Sequence, residues 1–315
     1  MLKVKSDFLT KDQVIYDVAI VGAGPAGIAA GIYGKRANLN LAIIEGSTPG
    51  GKVVKTNIVE NYPGYKSITG PDLGLEMYNH LIDLEPTFFY ANLIKLDKAA
   101  DTFILYLDDK TVVFAKTVIY ATGMLERKLG VAKEDHFYGK GISYCAICDG
   151  SLYKDQVVGV VGGGNSAIQE ALYLAGMAKT VHLIHRREGF RADETALNKL
   201  RNLPNVVFHL NYTVKELLGN NTLNGIVLQN TLDHSTKQID LNCVFPYIGF
   251  ESIIKPVEHL NLKLDPQGFL ITNEQMETSL KGLFAAGDCR SKHFRQIGTA
   301  INDGIIAVLT IRDVL

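Results

Sequence analysis

The hydrophobic and polar positions of this chain follow the same order twice. Residues 18–45 and residues 157–185 each contain a short apolar run, a glycine-rich turn, a stretch compatible with a helix and a second apolar run. A short continuous apolar run bounded by a glycine turn is typical of a buried strand in a parallel sheet. The pattern therefore predicts two β-strand–helix–β-strand units, one in each half of the chain.

Strand-like segments continue behind each unit. In the first half they are 102–108 and 111–114, joined by a turn at 108–110, and then 118–122 before Gly123. In the second half they are 206–210, 225–229, 238–241 and 244–248 before Gly249. Residues 282–315 have no counterpart and end in a predicted helix from about Gly298, which we expect to fold back on one of the domains. Two copies of one plan predict an α/β fold with two Rossmann-like dinucleotide-binding domains.

Composition and charge narrow the function classes. The chain has 315 residues, 47% hydrophobic and 21% charged, which suits two compact soluble domains. Its 32 Lys and Arg against 33 Asp and Glu leave no basic excess, so we predict no nucleic-acid partner. The first residues are too charged for a secretory signal, and glycines with Pro25 interrupt the most apolar stretch, so we predict no membrane span and a cytoplasmic location.

The glycine turns match the dinucleotide fingerprint G-x-G-x-x-G/A. Gly22 and Gly162 would form the tight turn, Gly24 and Gly164 would let the backbone approach a pyrophosphate, and Gly27 and Ala167 would let helix and strand pack closely. The helix that follows would offer amide donors to the phosphates. The alternative is a tight strand-to-helix turn that binds nothing.

The end of the second strand distinguishes the two copies. In the first copy it is Glu45, a carboxylate that can accept hydrogen bonds from a ribose diol and repel a 2′-phosphate. In the second copy it is His185-Arg186-Arg187, with Arg191 four residues further on. Guanidinium groups suit a 2′-phosphate, although the alternative is a solvated run of charge. The first copy is therefore predicted to bind FAD and the second NADPH.

A C-x-x-C pair, Cys145 and Cys148, precedes the second fingerprint. Such a pair can form a disulfide that cycles readily, so it is a candidate redox centre. The alternative of half a zinc site lacks a second pair of ligands, since Cys243 and Cys289 are single and far apart. Cys243 is most simply a buried apolar residue. Asp149 could exchange a proton with the pair or form the first half of an Asp-Gly turn, and the sequence leaves both open.

With these residues identified, the chain resembles the bacterial-type, low-molecular-weight thioredoxin reductases, class II of the pyridine nucleotide-disulfide oxidoreductases. The resemblance covers nearly the whole chain. The motifs that carry it are 22–27, Gly50-Gly51, 59–64, 121–123, 145–149, 162–167, His185-Arg186-Arg187 with Arg191, 286–288 and Arg295-Gln296.

The resemblance implies roles that the residues alone do not. Asp288 would bind the ribityl-phosphate region of FAD, Cys148 would face the flavin, Cys145 would attack the partner's disulfide and Asp149 would donate a proton. The partner would be thioredoxin, and the enzyme a homodimer. The nucleotide-binding residues would be Gly22, Gly24, Pro25, Ala26, Gly27, Glu45, Gly46, Gly50, Gly51, Lys52, Asn61, Ala121, Gly123, Gly162, Gly164, Asn165, Ser166, His185, Arg186, Arg187, Arg191, Gly287, Asp288, Arg295 and Gln296.

The implied domains are a discontinuous FAD domain, residues 1–123 and 251–315, and an inserted NADPH domain, residues 124–250, that carries the cysteine pair. Two residues depart from the family pattern: Lys52 stands where glutamine is usual, and Gln169 where an acid is usual. Lys52 leaves the local flavin contacts in question, and Gln169 is most simply a solvated helix position.

The predicted reaction is NADPH-dependent reduction of the thioredoxin disulfide through FAD and the cysteine pair. Because the pair and the NADPH site share one domain while FAD belongs to the other, we expect the second domain to rotate about hinges near 123–127 and 249–252. The alternatives are a reductase of the same fold with another acceptor and a non-catalytic redox sensor. A ferredoxin or flavodoxin reductase of this fold would not need the cysteines.

Overall fold

The computed structural model describes residues 14–56 and 58–315, without the side chains of Ile58 and Cys148. The chain divides into two compact units. Unit one runs up to Leu125 and resumes with Glu251–Leu315, and unit two is Glu126–Phe250. The sequence analysis places the domain limits after residues 123 and 250, and that division stays a prediction.

The described residues form the following strands (β) and helices (α). Between residues 14 and 126 they are β1 Ile15–Val21, α1 Pro25–Arg36, β2 Leu41–Ile44, β3 Ile58–Val59, β4 Ile68–Thr69, α2 Gly70–Ile82, β5 Thr87–Phe89, β6 Leu93–Ala99, β7 Thr102–Leu107, β8 Val112–Tyr120 and β9 Met124–Glu126. In unit two they are α3 Glu134–Phe137, α4 Ala146–Asp149, β10 Val157–Val161, α5 Asn165–Ala175, β11 Thr180–His185, α6 Glu194–Arg201, β12 Val206–Leu210, β13 Tyr212–Gly219, β14 Leu223–Asn230, β15 Thr236–Asp240 and β16 Cys243–Pro246. The last segment adds β17 Phe250–Ser252, β18 Leu283–Ala285 and α7 Ile297–Val314.

Unit one is built on a sheet of order β5-β2-β1-β8-β7-β6, with β18 also paired to β8. The pairs among β5, β2, β1, β8 and β18 are parallel, as the continuous apolar runs predict. Alternate residues of β1 pack into two different hydrophobic cores, one on each face of the sheet. Val18 and Ile20 pack with the helices α1 and α7, while Ala19 and Val21 pack with the antiparallel strands β6 and β7.

The helix α7 closes the helical side of unit one against α1. A Cβ atom on Gly304 of α7 would overlap the carbonyl oxygen of Ala26 on α1, so the two helices meet at backbone distance there. The predicted terminal helix is therefore present, and it packs on the unit that holds the first fingerprint.

Unit two repeats the parallel part of this plan in a four-stranded sheet of order β12-β11-β10-β16. The helices α5 and α6 cover one face of that sheet. A separate antiparallel sheet, β13-β14-β15, contributes to the core on the other face.

The structure corrects several sequence predictions. The segments 111–114 and 118–122 belong largely to one continuous strand, β8. Strand β13 was not predicted, and it pairs with β14. A β-bulge between Val214 and Glu216 explains the omission, because it breaks the two-residue alternation of buried positions and leaves Val214 and Leu217 buried three residues apart.

The chain crosses between the units through β9 and β17, which pair with each other as a two-stranded sheet. Among residues 14–56 and 58–315, no helix combines the length and the apolar character that a membrane span requires.

Candidate functional site: two nucleotide cradles and a redox helix

The first fingerprint joins β1 to α1 through backbone that only glycine can adopt. Gly22 has φ +103°, and a Cβ atom there would overlap the carbonyl oxygen of Ala121 at the end of β8. A Cβ atom on Gly27 would overlap the carbonyl oxygen of Gly22. Helix α1 therefore begins directly against the strand ends, with its first amide groups facing the turn.

Glu45 fixes the shape of this turn. Its Oε2 accepts a hydrogen bond of 2.7 Å from the amide of Ala23, and its Oε1 accepts one of 2.8 Å from the amide of Ser47. The carboxylate is thus held in place by two backbone amides, and each oxygen keeps a lone pair for a further donor. Its binding of a ribose diol stays a prediction.

The segment Gly50-Gly51 covers the same turn. The amide of Gly50 donates to the carbonyl oxygen of Ala23 at 2.7 Å, and a Cβ atom on Gly51 would lie 3.0 Å from the Cα of Gly24. Both glycines have positive φ, +99° and +60°. The half-buried Lys52 follows directly, so its side chain starts beside the fingerprint.

The C-terminal segment brings Asp288 to unit one's sheet. Asp288 Oδ1 and Arg295 Nε are buried, and neither has a hydrogen-bond partner among the described residues. Burial raises the pKa of Asp288, while the nearby cations Lys292, Arg295 and Lys52 oppose that shift. A buried carboxylate oxygen and guanidinium nitrogen left open in this way fit a polar ligand such as the ribityl-phosphate part of FAD.

Two further predicted FAD residues meet beside this segment although they are far apart in sequence. The side-chain amide of Asn61 donates to Gln296 Oε1 at 3.2 Å. Ala121 donates its amide to the carbonyl oxygen of Val21 at 2.7 Å, and Gly123 follows with φ +68°. The structure therefore gathers the separate motifs of unit one around the first fingerprint.

Sequence reasoning missed Asp303, which anchors the segment that carries Asp288. This carboxylate is 4% exposed on α7 and accepts hydrogen bonds from the amide of Gly287 at 3.1 Å, from Lys292 at 2.7 Å and from Arg290 at 3.2 Å. A charged residue inside an otherwise apolar helix was the available signal, since a buried charge needs partners.

The second fingerprint has the same construction in unit two. Gly162 has φ +153°, and a Cβ atom there would overlap the carbonyl oxygen of Tyr247 and lie 2.8 Å from the Cβ of Ala167. At Gly164, where a pyrophosphate would approach, no heavy atom lies within 4 Å of the Cβ position. Asn165 is the first residue of α5, and its side-chain Oδ1 accepts a 2.7 Å hydrogen bond from the backbone amide of Asp193.

The arginines at the end of β11 are presented to solvent. The amide of Arg191 donates to the carbonyl oxygen of Gly163 at 2.8 Å, which fixes that residue beside the turn. The side chains of Arg186, Arg187 and Arg191 are all exposed. Three guanidinium groups around an open glycine turn fit a 2′-phosphorylated nucleotide.

His185 has a different position from the arginines. Its ring stacks on Phe190 at 4.9 Å, hydrogen-bonds the carbonyl oxygen of Gly189 at 3.0 Å and occupies the space that a Cβ atom on Gly163 would need. Burial lowers the pKa of His185, and the neighbouring arginines lower it further. The imidazole therefore supports the loop as a neutral group, so the cationic character of this loop comes from the arginines.

The redox helix is the name we give to α4, which starts one residue after Cys145. Cys145 is disulfide-bonded. The backbone of Cys148 lies in α4, but its side chain is outside the part of the chain that the structure describes, so the pairing of the two cysteines stays a prediction. The hydroxyl of Ser143 donates to Asp149 Oδ2 at 2.6 Å.

Two residues that sequence reasoning missed hold the start of the redox helix. The phenol oxygen of Tyr247 accepts a 2.7 Å hydrogen bond from the amide of Ala146. The hydroxyl of Tyr144 donates to Glu134 at 2.5 Å, and that buried carboxylate also accepts from the amides of Leu129 and Gly130. No sequence motif marks these contacts, because they join segments that only folding brings together.

The other two cysteines that the structure describes with side chains are buried thiols of low reactivity. Cys243 and Cys289 are free and buried, and burial raises the pKa of each thiol to about 12. Among the residues that the structure describes, no group of three or more His, Cys, Asp or Glu side chains could hold a metal ion.

These features together define a protein with two nucleotide cradles and a redox-active cysteine. The sequence model of the pyridine nucleotide-disulphide oxidoreductases matches residues 16–304, so the chain belongs to that family. A thioredoxin reductase of Mycoplasma pneumoniae is 99% identical over 315 residues, which is all of this chain and all of that protein. A thioredoxin reductase of Mycoplasma genitalium is 70% identical over 313 residues, 99% of each chain.

A solved structure gives the same result. The crystal structure of Lactococcus lactis thioredoxin reductase in its FR conformation matches 95% of this chain and 98% of its own with a TM-score of 0.82 and 34% identity. The predicted resemblance and the predicted α/β fold with two Rossmann-like domains are therefore confirmed.

Proposed function

We propose that this chain is a thioredoxin-disulfide reductase that uses NADPH and FAD. The net reaction is NADPH + H⁺ + thioredoxin disulfide → NADP⁺ + thioredoxin dithiol. The observation that carries the proposal is the disulfide-bonded Cys145 at the head of the redox helix, in the same unit as the arginine-flanked fingerprint. The thioredoxin reductases to which the chain is 99% and 70% identical support the same acceptor.

In this proposal unit one holds FAD. The amides at the start of α1 would face its pyrophosphate, Glu45 its ribose, and Asp288, Arg295, Asn61 and Gln296 the rest of the cofactor. When bound, FAD accepts a hydride from NADPH and passes two electrons to a disulfide. The buried open atoms of Asp288 and Arg295 support this assignment.

Unit two would hold NADPH and carry the redox pair. Gly162, Gly164, Asn165 and Ser166 would cradle the pyrophosphate, and the exposed Arg186, Arg187 and Arg191 would bind the 2′-phosphate. Reduction of the pair breaks its S–S bond and leaves two thiols. The thiolate of Cys145 then attacks the disulfide of thioredoxin, and Cys148 resolves the mixed disulfide. Asp149 would donate a proton to the sulfur that leaves.

Because one unit carries both NADPH and the cysteines, each must reach the flavin in turn. We propose that unit two rotates about the segments 123–127 and 249–252. Gly123 and Gly249 have positive φ, +68° and +109°, and a Cβ atom on either would meet no heavy atom within 4 Å. An engineered cross-link between the units should abolish turnover, and full activity of the locked protein would contradict the rotation.

The proposal also includes a homodimer in the cytoplasm, with neither nucleic acid nor membrane as a partner. The balanced charge of the whole chain supports the absence of a nucleic-acid partner. Sedimentation of the FAD-loaded protein would measure the oligomeric state.

The direct test is an oxidation assay with NADPH and NADH, each with and without the cognate thioredoxin. We expect NADPH oxidation that depends on thioredoxin and a much lower rate with NADH. Equal rates with the two nucleotides would contradict the role of the arginines. Reduction of a small disulfide without any effect of thioredoxin would favour a reductase with another acceptor.

A further inference from the structure

The hydroxyl of Ser143 connects the backbone of Cys145 to the side chain of Asp149. It donates to Asp149 Oδ2 at 2.6 Å and accepts a hydrogen bond from the amide of Cys145 at 3.1 Å. Ser143 is 4% exposed, and its own amide donates to the carbonyl oxygen of Val244 on β16 at 3.1 Å. The hydroxyl is therefore fixed to the parallel sheet of unit two and does not depend on the short redox helix for its position.

This hydroxyl has one hydrogen and two acceptors within reach. Besides Asp149 Oδ2, the carbonyl oxygen of Cys145 lies 3.3 Å away. When Asp149 is ionised, the hydrogen belongs on the carboxylate, because a bond to a charged acceptor is the stronger one. When Asp149 is protonated, the hydrogen can turn to the carbonyl oxygen of Cys145, and a lone pair of Ser143 can then accept from the carboxyl group. The same hydroxyl thus satisfies Asp149 in both of its protonation states.

We propose that Ser143 is a positioning residue that keeps Asp149 beside Cys145 before and after it gives up its proton. The inference rests on the proposed function, in which a thiolate forms a new S–S bond, the old S–S bond breaks, and the leaving sulfur takes a proton from Asp149. The carboxylate then recovers a proton from water. Without the hydroxyl, Asp149 would lose its fixed direction beside Cys145.

The test compares Ser143→Ala with Ser143→Thr in the full-length, FAD-loaded enzyme. Asp149→Asn removes the proposed proton donor and gives the size of the loss in kcat when that donor is absent. For Ser143→Ala we expect kcat with thioredoxin to fall about tenfold at unchanged KM for NADPH, because the proton donor is displaced. Ser143→Thr keeps the hydroxyl and should restore kcat to near the wild-type value.

Ser151→Ala is the matched control, since Ser151 lies two residues beyond Asp149 and is exposed. It should leave kcat unchanged. If Ser143→Ala keeps the wild-type kcat with thioredoxin, or if Ser143→Thr lowers kcat as far as Ser143→Ala does, the positioning role is wrong.

A second measurement separates this inference from the proposed function. The alkylation rate of Cys145 in the chemically reduced protein at a fixed pH needs neither NADPH nor thioredoxin. A rate that changes in the same direction in Asp149→Asn and in Ser143→Ala, and that Ser143→Thr restores, supports the positioning role even if the wild-type protein fails to reduce thioredoxin. A rate that is identical in wild type and Ser143→Ala contradicts the role even if the enzyme is active.

Discussion

The glycine turns of the two units have the same backbone contacts but different neighbours. The amide of Gly22 donates to Ile44 at 2.8 Å, and the amide of Gly162 donates to Ile184 at 2.9 Å. In unit one the amide of Gly50 then donates a hydrogen bond to the carbonyl oxygen of Ala23. In unit two the amide of Arg191 donates to the carbonyl oxygen of Gly163. The two turns thus share one backbone construction, and we expect the residue brought to each of them to determine which nucleotide it binds.

The two units also differ in the residue that follows the neighbouring parallel strand, β8 in unit one and β16 in unit two. Ala121 donates its amide to Val21 at 2.7 Å, and Tyr247 makes the corresponding bond to Val161, also at 2.7 Å. Ala121 has only a methyl group, whereas the phenol of Tyr247 extends to the amide of Ala146. One substitution within the repeat therefore connects the second fingerprint to the redox helix.

The largest expected effect comes from Gly22→Ala and Gly162→Ala. In both variants a Cβ atom overlaps a carbonyl oxygen at positive φ, which should destabilise the turn by about 3 kcal/mol or more. We expect Gly22→Ala to lose bound flavin, measured by absorbance. Gly162→Ala should keep its flavin but no longer bind NADPH. Gly164→Ala, where the Cβ position is open, should fold normally. Loss of the same nucleotide in both variants would contradict the assignment of the two copies.

The third strand of each parallel sheet should differ in acid stability. In unit one Ile44 faces Phe89, while in unit two Ile184 faces His209. Burial, with Lys237 and His182, lowers the pKa of His209 from 6.5 to about 4. The contribution of neutral His209 to the free energy of unfolding is complete above pH 6.5. It is lost as the pH falls towards 4, because only the unfolded state binds the proton in that window. The loss should approach roughly 3 kcal/mol.

This acid sensitivity should be confined to unit two. Hydrogen exchange, corrected for intrinsic rates, should reveal weaker protection of β11 and β12 at pH 4.5 than at pH 7. His209→Phe, which copies the residue of unit one, should reduce the difference, and His182, whose pKa burial also lowers, should account for the remainder. Equal acid sensitivity of β2 and β5 would contradict the explanation.

The nucleotide preference should depend on the arginines. In Arg191→Ala, kcat/KM with NADPH should fall about tenfold to thirtyfold, because a charge-assisted hydrogen bond to the 2′-phosphate is lost. The value with NADH should not change. Arg201→Ala, at an exposed arginine of the same unit, is the control. An equal fall in kcat/KM with both nucleotides would mean that Arg191 supports the loop and does not bind the 2′-phosphate.

The smallest effect is expected for Tyr247→Phe. The variant leaves the amide of Ala146 without its acceptor, which should cost about 1–2 kcal/mol in the free energy of unfolding of unit two. Thermal unfolding would measure it, with the exposed Tyr138→Phe as the control. An unchanged melting temperature would mean that water replaces the phenol.

The sequence predicts the repeated parts of this molecule well because they depend on local pattern. The strand–turn–helix order of 18–45 and 157–185 follows from apolar runs and glycines, and both units have it. It also supplied the contrast between Glu45 and the arginines. By comparison, β13 was missed because a bulge disrupts its alternation, and β8 was divided because its two parts have different neighbours.

The contacts that prepare the site were beyond sequence reasoning. The sequence predicts Glu45 as a ribose ligand but not that both of its oxygens also accept hydrogen bonds from the backbone, at Ala23 and Ser47. His185 was grouped with the arginines, yet its ring packs inside the loop. Ser143, Tyr247 and Asp303 belong to no predicted motif. Each is defined by a partner whose proximity is determined by tertiary packing, which single-sequence patterns do not contain.

The pairing of β18 with β8 constrains the order in which the protein can be completed during synthesis. Leu283 lies beside Val118 in the sheet of unit one, so that sheet lacks a strand until the ribosome has translated all of unit two and the segment beyond it. We expect unit two to acquire its native structure on the nascent chain first, since domains generally fold as units. The flavin would be captured only afterwards, which makes cofactor loading a late event in the assembly of the enzyme.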